Sequence, residues 1–415
     1  MTATETFVIV GAGLAGAKAA EALRGKGFAG RLVLAGAEEH RPYERPPLSK
    51  GYLAGSVERS SVFVHAEDWY GEHGVELRLG QSALAVDRAA GQVEFAGGEG
   101  LGFDRLLLAT GSAPRRLTVP GADAVGVHYL RTLADCDRLQ ARLAEVSELV
   151  VIGAGWIGLE VSAAARQAGV AVTVVESAQL PLLRVLGPEL ARVFEGLHRE
   201  QGVDFRFQAS VAEILSGGDA QVTGVRLADG TVLAAQAVLV AVGAQPATEL
   251  AQAAGLAVAD GIVVDAGLAS SDPRIFAAGD VASAWHPFYQ RPLRVEHWAN
   301  ALKQPVTAAA SMLGEPAEYA ELPYFFTDQY QLGMEYLGYA EAGGYDQVVF
   351  RGDVSGREFI AFWLQDRRVI AAMNVNVWDV TDQLKTLIQS RSPMAPDQLA
   401  DPDTDLSELA SQASS

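Results

Sequence analysis

Glycines 11, 13 and 16 and glycines 153, 155 and 158 repeat one spacing, Gly-x-Gly-x-x-Gly, 142 residues apart. Each set ends an apolar run, Phe7–Val10 or Leu149–Ile152, and opens an Ala-rich stretch of helical composition. In such a loop the first glycine permits the tight turn. The second lets the backbone approach a pyrophosphate. The third lets helix and strand pack closely, so that the helix N-terminus faces the phosphates. A second β-run follows each helix, Arg31–Ala35 and Val170–Glu176, which completes a βαβ unit twice over. Glu176 closes the second unit, 23 residues beyond Gly153. A carboxylate there accepts hydrogen bonds from a ribose 2′-OH and repels a 2′-phosphate, and residues 177–179 carry no arginine. The second site therefore favours NADH over NADPH. Glu38 lies 27 residues beyond Gly11, one position later than usual, which leaves the ribose contact of the first site open.

The rest of the composition narrows the chemistry. Cys136 is the single cysteine of 415 residues, so an internal disulfide and any cluster held by several thiolates are impossible. The seven histidines show no metal-ligand spacing, and no nucleophile-elbow serine or P-loop lysine motif is present. A formal charge of −19 makes nucleic acid and anionic membrane poor partners. The most apolar stretch, 232–247, is too short for a membrane span, and the N-terminus lacks a signal-peptide pattern. A cytoplasmic protein is the expectation.

These motifs need an α/β scaffold. The expected fold is two Rossmann-like dinucleotide-binding domains, as in glutathione reductase, with a C-terminal α+β domain. The first βαβ unit is flanked by strands at Val75–Leu79, Ala83–Asp87, Gly91–Phe95 and Arg105–Ala109. The second is followed by Asp204–Gln208 and a meander ending in one long strand over Thr231–Val242. A strand at Ile275 returns to Gly279-Asp280, which suggests one bound flavin and one exchangeable nicotinamide. After Pro323 the chain turns aromatic and alternating, the pattern of an antiparallel sheet, and a helix is expected near Thr381–Ser390. The expected boundaries are 1–115 with 243–322 for the discontinuous FAD-binding domain, 116–242 for the NADH-binding domain and 323–395 for the C-terminal sheet domain. Residues 396–415 read as a flexible acidic tail.

The chain resembles the FAD-dependent ferredoxin reductases of oxygenase systems over about residues 5–390. The motifs that carry the resemblance are RPYERPPLSKGYL at Arg41–Leu53, LATGSAPR at Leu108–Arg115, GAGWIGLE at Gly153–Glu160, IFAAGD at Ile275–Asp280 and VEHWAN at Val295–Asn300. The first and last are specific to this subfamily. In related NADH oxidases and coenzyme A-disulfide reductases a redox cysteine follows the Leu-Ser pair; here Lys50 stands there. A flavin beside lysine rather than thiol must pass its electrons elsewhere.

The resemblance implies FAD and NADH as cofactors and no metal. It makes Lys50 and Glu160, paired near the flavin, the catalytic residues, with a surface lysine as the alternative for Lys50. It assigns FAD binding to Gly11, Gly13, Ala15, Gly16, Glu38, Arg45, Lys50, Ala83, Ala109, Thr110, Gly111, Arg131, Gly279, Asp280, Glu296, His297 and Trp298. It assigns NADH binding to Gly153, Gly155, Trp156, Ile157, Gly158, Glu160, Glu176, Arg184, Val242 and Gly243. Asp280 would bond a ribityl hydroxyl or cap a helix beginning at Val281, or both. Trp298 would cover the flavin or be an ordinary core tryptophan. Arg131 would meet the FAD pyrophosphate, Arg184 the adenosine of NADH, and Glu296 the nicotinamide region. The partners implied are a small iron–sulfur ferredoxin, such as a [2Fe–2S] protein, ahead of a rubredoxin, and a downstream monooxygenase or dioxygenase. A flavin NADH oxidase or disulfide reductase is one alternative. An NADH-binding signalling protein resembling apoptosis-inducing factor is another.

Overall fold

A computed structural model describes residues 5–413. The chain divides into two compact units. The first holds the residues up to Arg45, Glu58–Ala113 and Ala244–Glu321. The second holds Pro46–Val57, Pro114–Gly243 and the residues from Leu322 onward.

In the first unit, Thr6–Val10 is the central strand of a parallel sheet. The sheet runs Ile275–Ala277, Arg105–Leu108, Thr6–Val10, Arg31–Ala35, Val75–Arg78. Phe7, Val8, Ile9 and Val10 are all buried, as expected of a parallel strand covered on both faces. Helix Leu14–Gly25 leaves this strand through Gly11–Gly13 and packs on helix Trp298–Met312. The order of the strands reverses beside Thr6–Val10, so the glycine loop opens at the switch point where ligands of such sheets bind. Smaller sheets include Ala83–Asp87 with Gln92–Phe95 and Gly100–Gly102, and Val258–Ala259 with Gly261–Val264, Ala282–His286 and Arg291–Leu293. The residue after Asp280 starts no helix: Ala282–His286 is a strand, so the helix-cap reading of Asp280 is overturned.

The second unit repeats the plan. Its parallel sheet runs Asp204–Arg206, Ala171–Val175, Glu148–Ile152, Ala237–Val240, Val127–His128. Helix Trp156–Gln167 leaves the central strand through Gly153–Gly155. The single strand expected over Thr231–Val242 is two. Val232–Ala234 belongs to an antiparallel sheet with Val211–Ser216 and Val222–Leu227, while Ala237–Val240 enters the parallel sheet. Apolarity is continuous across the break, so periodicity gave no sign of it. Gln236 marks the change of sheet, where its Oε1 accepts from the Ser147 and Glu148 N–H groups.

The C-terminal part of this unit is an antiparallel sheet, Tyr324–Gln329, Leu332–Gly338, Arg368–Val375, Glu358–Gln365, Gln347–Asp353, followed by helix Thr381–Ser390. The tail expected to be flexible from residue 396 instead forms helices Pro396–Ala400 and Leu406–Ala413. Leu399, Leu406, Leu409, Ala410 and Ala413 are buried, and this apolar stripe at helical spacing outweighs the acidic composition. Residues 46–57, expected with the FAD-binding segment, group with the second unit. Among the described residues no helix is long and apolar enough to cross a membrane.

Candidate functional site

The glycine loops can be tested by asking what a side chain would meet. Gly11 has φ +117°, and a Cβ there would collide with the Ala109 carbonyl. A Cβ on Gly16 would collide with the Gly11 carbonyl. These two glycines are required by the protein itself. Gly13 is different: its φ is −96°, ordinary for any residue, and nothing lies within 4 Å of its would-be Cβ. The second unit repeats this. Gly153 abuts the Ala241 carbonyl and Gly158 the Gly153 carbonyl, while Gly155 again faces open space. Helices Leu14–Gly25 and Trp156–Gln167 start at these middle glycines with no side-chain cap and no acid in the first turn. Two uncapped, positively polarised helix ends with a bare backbone in front fit the pyrophosphates of two dinucleotides.

Around the first loop the fold gathers a polar set. Glu38 accepts from the Tyr43 hydroxyl and, at 3.0 Å, from Arg45 Nη2. Burial acts to lower the pKa of Arg45, but Tyr43, Glu38 and Asp280 overcome it and raise it, so this cation is held charged. Asp280 accepts from Ser112 Oγ at 3.0 Å. The Gly279 N–H is fixed by Gln304 Oε1 at 2.9 Å, and Gly279 stands over Ala15. Thr110 and Gly111 are tied to Ala247 through the Thr110 hydroxyl and the Ala247 N–H. Burial pushes His297 down to about 4, with Asp280 opposing, which keeps its imidazole neutral. Trp298 begins its helix, half-buried. Glu296 is exposed and engages Arg294. Ala83 sits half-buried at the start of its strand.

Around the second loop, Glu176 Oε2 accepts the Ala154 N–H at 2.8 Å and Oε1 accepts the Ala178 N–H at 2.8 Å. The carboxylate is thereby built into the loop. Trp156 packs on Phe194 and Phe325, Ile157 is exposed, and Val242 and Gly243 follow the strand beside the loop. Arg184 is exposed in the first turn of helix Leu183–Glu200, and Arg131 is half-buried just before helix Leu133–Leu143.

Lys50 and Glu160 meet in this second unit. Lys50 Nζ donates to Glu160 Oε1 at 2.6 Å, with the two side chains 15% and 6% exposed. The surface-lysine alternative does not describe this residue. Thr327 Oγ1 also donates to Glu160 Oε1 at 2.6 Å, and Ser49 Oγ donates to Oε2. Glu160 thus receives Lys50, Thr327 and Ser49 together, and its ion pair with Lys50 is the one charged contact of the group. Nearby, burial holds the Asp328 carboxyl above its usual range, with Lys50 pulling it down and Glu160 and Glu335 adding to the rise. Cys136, remote in sequence, comes beside this segment: its Sγ donates to the Leu48 carbonyl at 3.2 Å. The thiol is fully buried, and burial pushes it up to about 12, so it is neutral and shielded.

Sequence reasoning missed Tyr43, Ser112, Gln304, Ser49 and Thr327. Ser49 sits inside the motif already singled out. For Thr327 a signal existed: Phe325, Thr327 and Gln329 share the inward face of their strand, and two of the three are polar. Among the described residues no cluster of His, Cys, Asp or Glu is arranged for a metal ion.

Fold and loops together define a two-dinucleotide oxidoreductase. Residues 5–305 match the pyridine nucleotide-disulphide oxidoreductase model and residues 324–410 the reductase C-terminal model. The chain belongs to the pyridine nucleotide-disulphide oxidoreductase family. It is 40% identical to putidaredoxin reductase of Pseudomonas putida, over 100% of this chain and 98% of that protein. It is also 40% identical to the ferredoxin–NAD(+) reductase component of the anthranilate 1,2-dioxygenase system of Burkholderia cepacia, over 96% and 97%. Among solved structures it matches the reductase in the covalent putidaredoxin reductase–putidaredoxin complex, with a TM-score of 0.95, 38% identity and 99% of both chains covered.

Proposed function

We propose that this chain is an NADH-dependent ferredoxin reductase, passing electrons from NADH through FAD to a small iron–sulfur ferredoxin that supplies a monooxygenase or dioxygenase. The observation that carries this reading is the Lys50–Glu160 pair. An ammonium is held on a buried carboxylate in the segment where a disulfide reductase of this family needs a reactive thiol, and Cys136 is a neutral buried thiol. Relatives matched over 96% or more of the chain at 40% identity are named as a putidaredoxin reductase and as the ferredoxin–NAD(+) reductase component of a dioxygenase system.

Bound FAD supplies the conversion of a two-electron donor into single-electron deliveries. The chain's own residues supply position and charge. The loop at Gly13 and the start of helix Leu14–Gly25 hold the FAD pyrophosphate. Glu38 and Arg45 frame the adenosine side, Asp280 the ribityl chain, and Trp298 and neutral His297 the ring side. The loop at Gly155 holds the NADH pyrophosphate, and Glu176 accepts its ribose hydroxyl while repelling a 2′-phosphate. Lys50 supplies the positive charge that favours the electron-rich reduced state, and Glu160 tempers it. A cytoplasmic location is part of the proposal, since NADH is an intracellular donor.

The test is NADH-driven cytochrome c reduction with and without a [2Fe–2S] ferredoxin, on protein whose flavin has been extracted and identified. The expected result is FAD and turnover that depends on the ferredoxin. A protein that cannot take up FAD, or one that reduces disulfides or oxygen as fast without any ferredoxin, would overturn the reading.

A further inference from the structure

The carboxylate of Glu160 is the end of a longer polar row inside the second unit. Behind Thr327, Gln329 Nε2 donates to Thr327 Oγ1 at 3.2 Å. His198 Nε2 lies 2.7 Å from Gln329 Oε1, and the Tyr330 hydroxyl lies 3.4 Å from His198 Nδ1. The row joins helix Leu183–Glu200 to strand Tyr324–Gln329 and then to helix Trp156–Gln167. Four of its members are deeply buried, His198 at 0% exposed, Gln329 1%, Thr327 1% and Glu160 6%, and Tyr330 is half-buried.

Counting protons gives the row one direction. A threonine hydroxyl has a single proton. Thr327 spends it on Glu160, which has none to give, and so must accept from its other neighbour. Gln329 therefore turns its NH2 to Thr327 and its carbonyl to His198. His198 must then carry its proton on Nε2 and leave Nδ1 bare toward the Tyr330 phenol. Burial agrees: it pushes His198 down to about 4, against the pull of Gln329, and pushes Tyr330 up to about 12. Every proton in the row points toward Glu160.

We propose that His198, Gln329 and Thr327 are positioning residues for the Lys50–Glu160 pair, a one-way row of donors that holds Glu160 as a carboxylate in the orientation that meets Lys50. This rests on the reading that Lys50 and Glu160 belong to the redox centre. Any fully satisfied row of this kind has a direction; what matters is the residue on which it ends. This one ends on the residue that sets how much of the Lys50 charge is felt. Removing a donor leaves the carboxylate less firmly held and Lys50 less compensated, an effect that acts through Glu160 alone.

Two measurements on the FAD-loaded protein test it. Nitrogen-15 NMR of histidine-labelled protein should show His198 neutral with its proton on Nε2; a proton on Nδ1 alone would reverse the row, a charged ring at neutral pH would make His198 a donor on both sides, and either would end the proposal. The flavin midpoint potential should be titrated for Thr327→Val, Thr327→Ser and His198→Phe, each with Glu160 intact and in a Glu160→Gln background. Thr327→Val is nearly isosteric and guards against a His198→Phe protein that fails to fold. Thr327→Val and His198→Phe should raise the potential, as Glu160→Gln does, by a smaller amount. Thr327→Ser should restore it. In the Glu160→Gln background the shifts should vanish. Equal shifts in both backgrounds, or none while Lys50→Met and Glu160→Gln still shift the potential, would overturn the row alone. If Lys50→Met and Glu160→Gln also leave the potential unmoved, the redox-centre reading has failed instead.

Discussion

Lys50 Nζ and Glu160 Oε1 stand 2.6 Å apart across 110 positions of sequence. The lysine follows the short helical turn Pro46–Ser49, and the glutamate lies in the helix that opens at the second glycine loop. An ion pair this buried contributes little net stability, yet removing one partner strands a costly charge. Such a pair is best explained by what its charges do to a ligand.

Lys50→Met should keep bound FAD but lower the flavin potential and slow flavin reduction by NADH. Glu160→Ala should shift the potential the opposite way, because Lys50 is then uncompensated. The double variant should lose less than the sum of the two, as expected for residues in contact. Potential titration with stopped-flow flavin bleaching measures this. Additive effects would remove the pair from the redox centre.

The glycines should separate folding from binding. Gly11→Ala forces a side chain into the Ala109 carbonyl at φ +117° and should destabilise the first unit by at least about 2 kcal/mol. Gly13→Ala meets nothing within 4 Å and should leave the apoprotein within about 0.5 kcal/mol of wild type while weakening FAD retention. Gly155→Ala should likewise weaken NADH binding without unfolding. Apoprotein denaturation curves and cofactor titrations decide the point; a Gly13→Ala protein that holds FAD as well as wild type would count against the cradle.

Glu176 should make NADH the preferred donor. Replacing it through Glu176→Ala with Ser177→Arg should raise kcat/KM for NADPH relative to NADH by about tenfold, the factor that corresponds to 1.4 kcal/mol. Steady-state kinetics with both nucleotides gives the ratio. A wild type that already prefers NADPH would show that this carboxylate does not reach the ribose.

Cys136→Ser should leave ferredoxin-dependent turnover within a few-fold of wild type, because the thiol is buried and neutral and serine can still donate to the Leu48 carbonyl. Near-complete loss with FAD retained would revive a thiol mechanism.

His198 should contribute to acid unfolding. Its folded-state pKa is lowered from 6.5 to about 4 by burial, so the native state favours the neutral ring. The stability it contributes is present above 6.5 and is lost as the pH falls through about 4. The linkage is at most about 3 kcal/mol. His198→Asn, which keeps a donor for Gln329, should flatten the fall in unfolding free energy across that window. Urea unfolding at a series of pH values measures it; an unchanged slope would mean that His198 is not held neutral.

Both glycine loops were legible in the chain itself because each βαβ unit is local: strand, turn, helix and acid lie within about thirty consecutive residues, and the backbone physics of the turn admits few residue types. Helix Thr381–Ser390 and the C-terminal strands were legible for the same reason, their periodicity being a local property. Local signals failed where the deciding contact was remote. The apolar run over 231–242 does not reveal that its halves enter two sheets, and the acidic composition after residue 396 hides leucines spaced to pack a helix. Alternation in strand Tyr324–Gln329 places Thr327 and Gln329 on an inward face but cannot name Glu160 and His198 as their partners, 167 and 131 residues away. Side-chain periodicity records which way a residue points. Which donor meets which acceptor depends on how separate elements pack, and that pairing holds Lys50 on Glu160 and Glu160 at the end of a directed row.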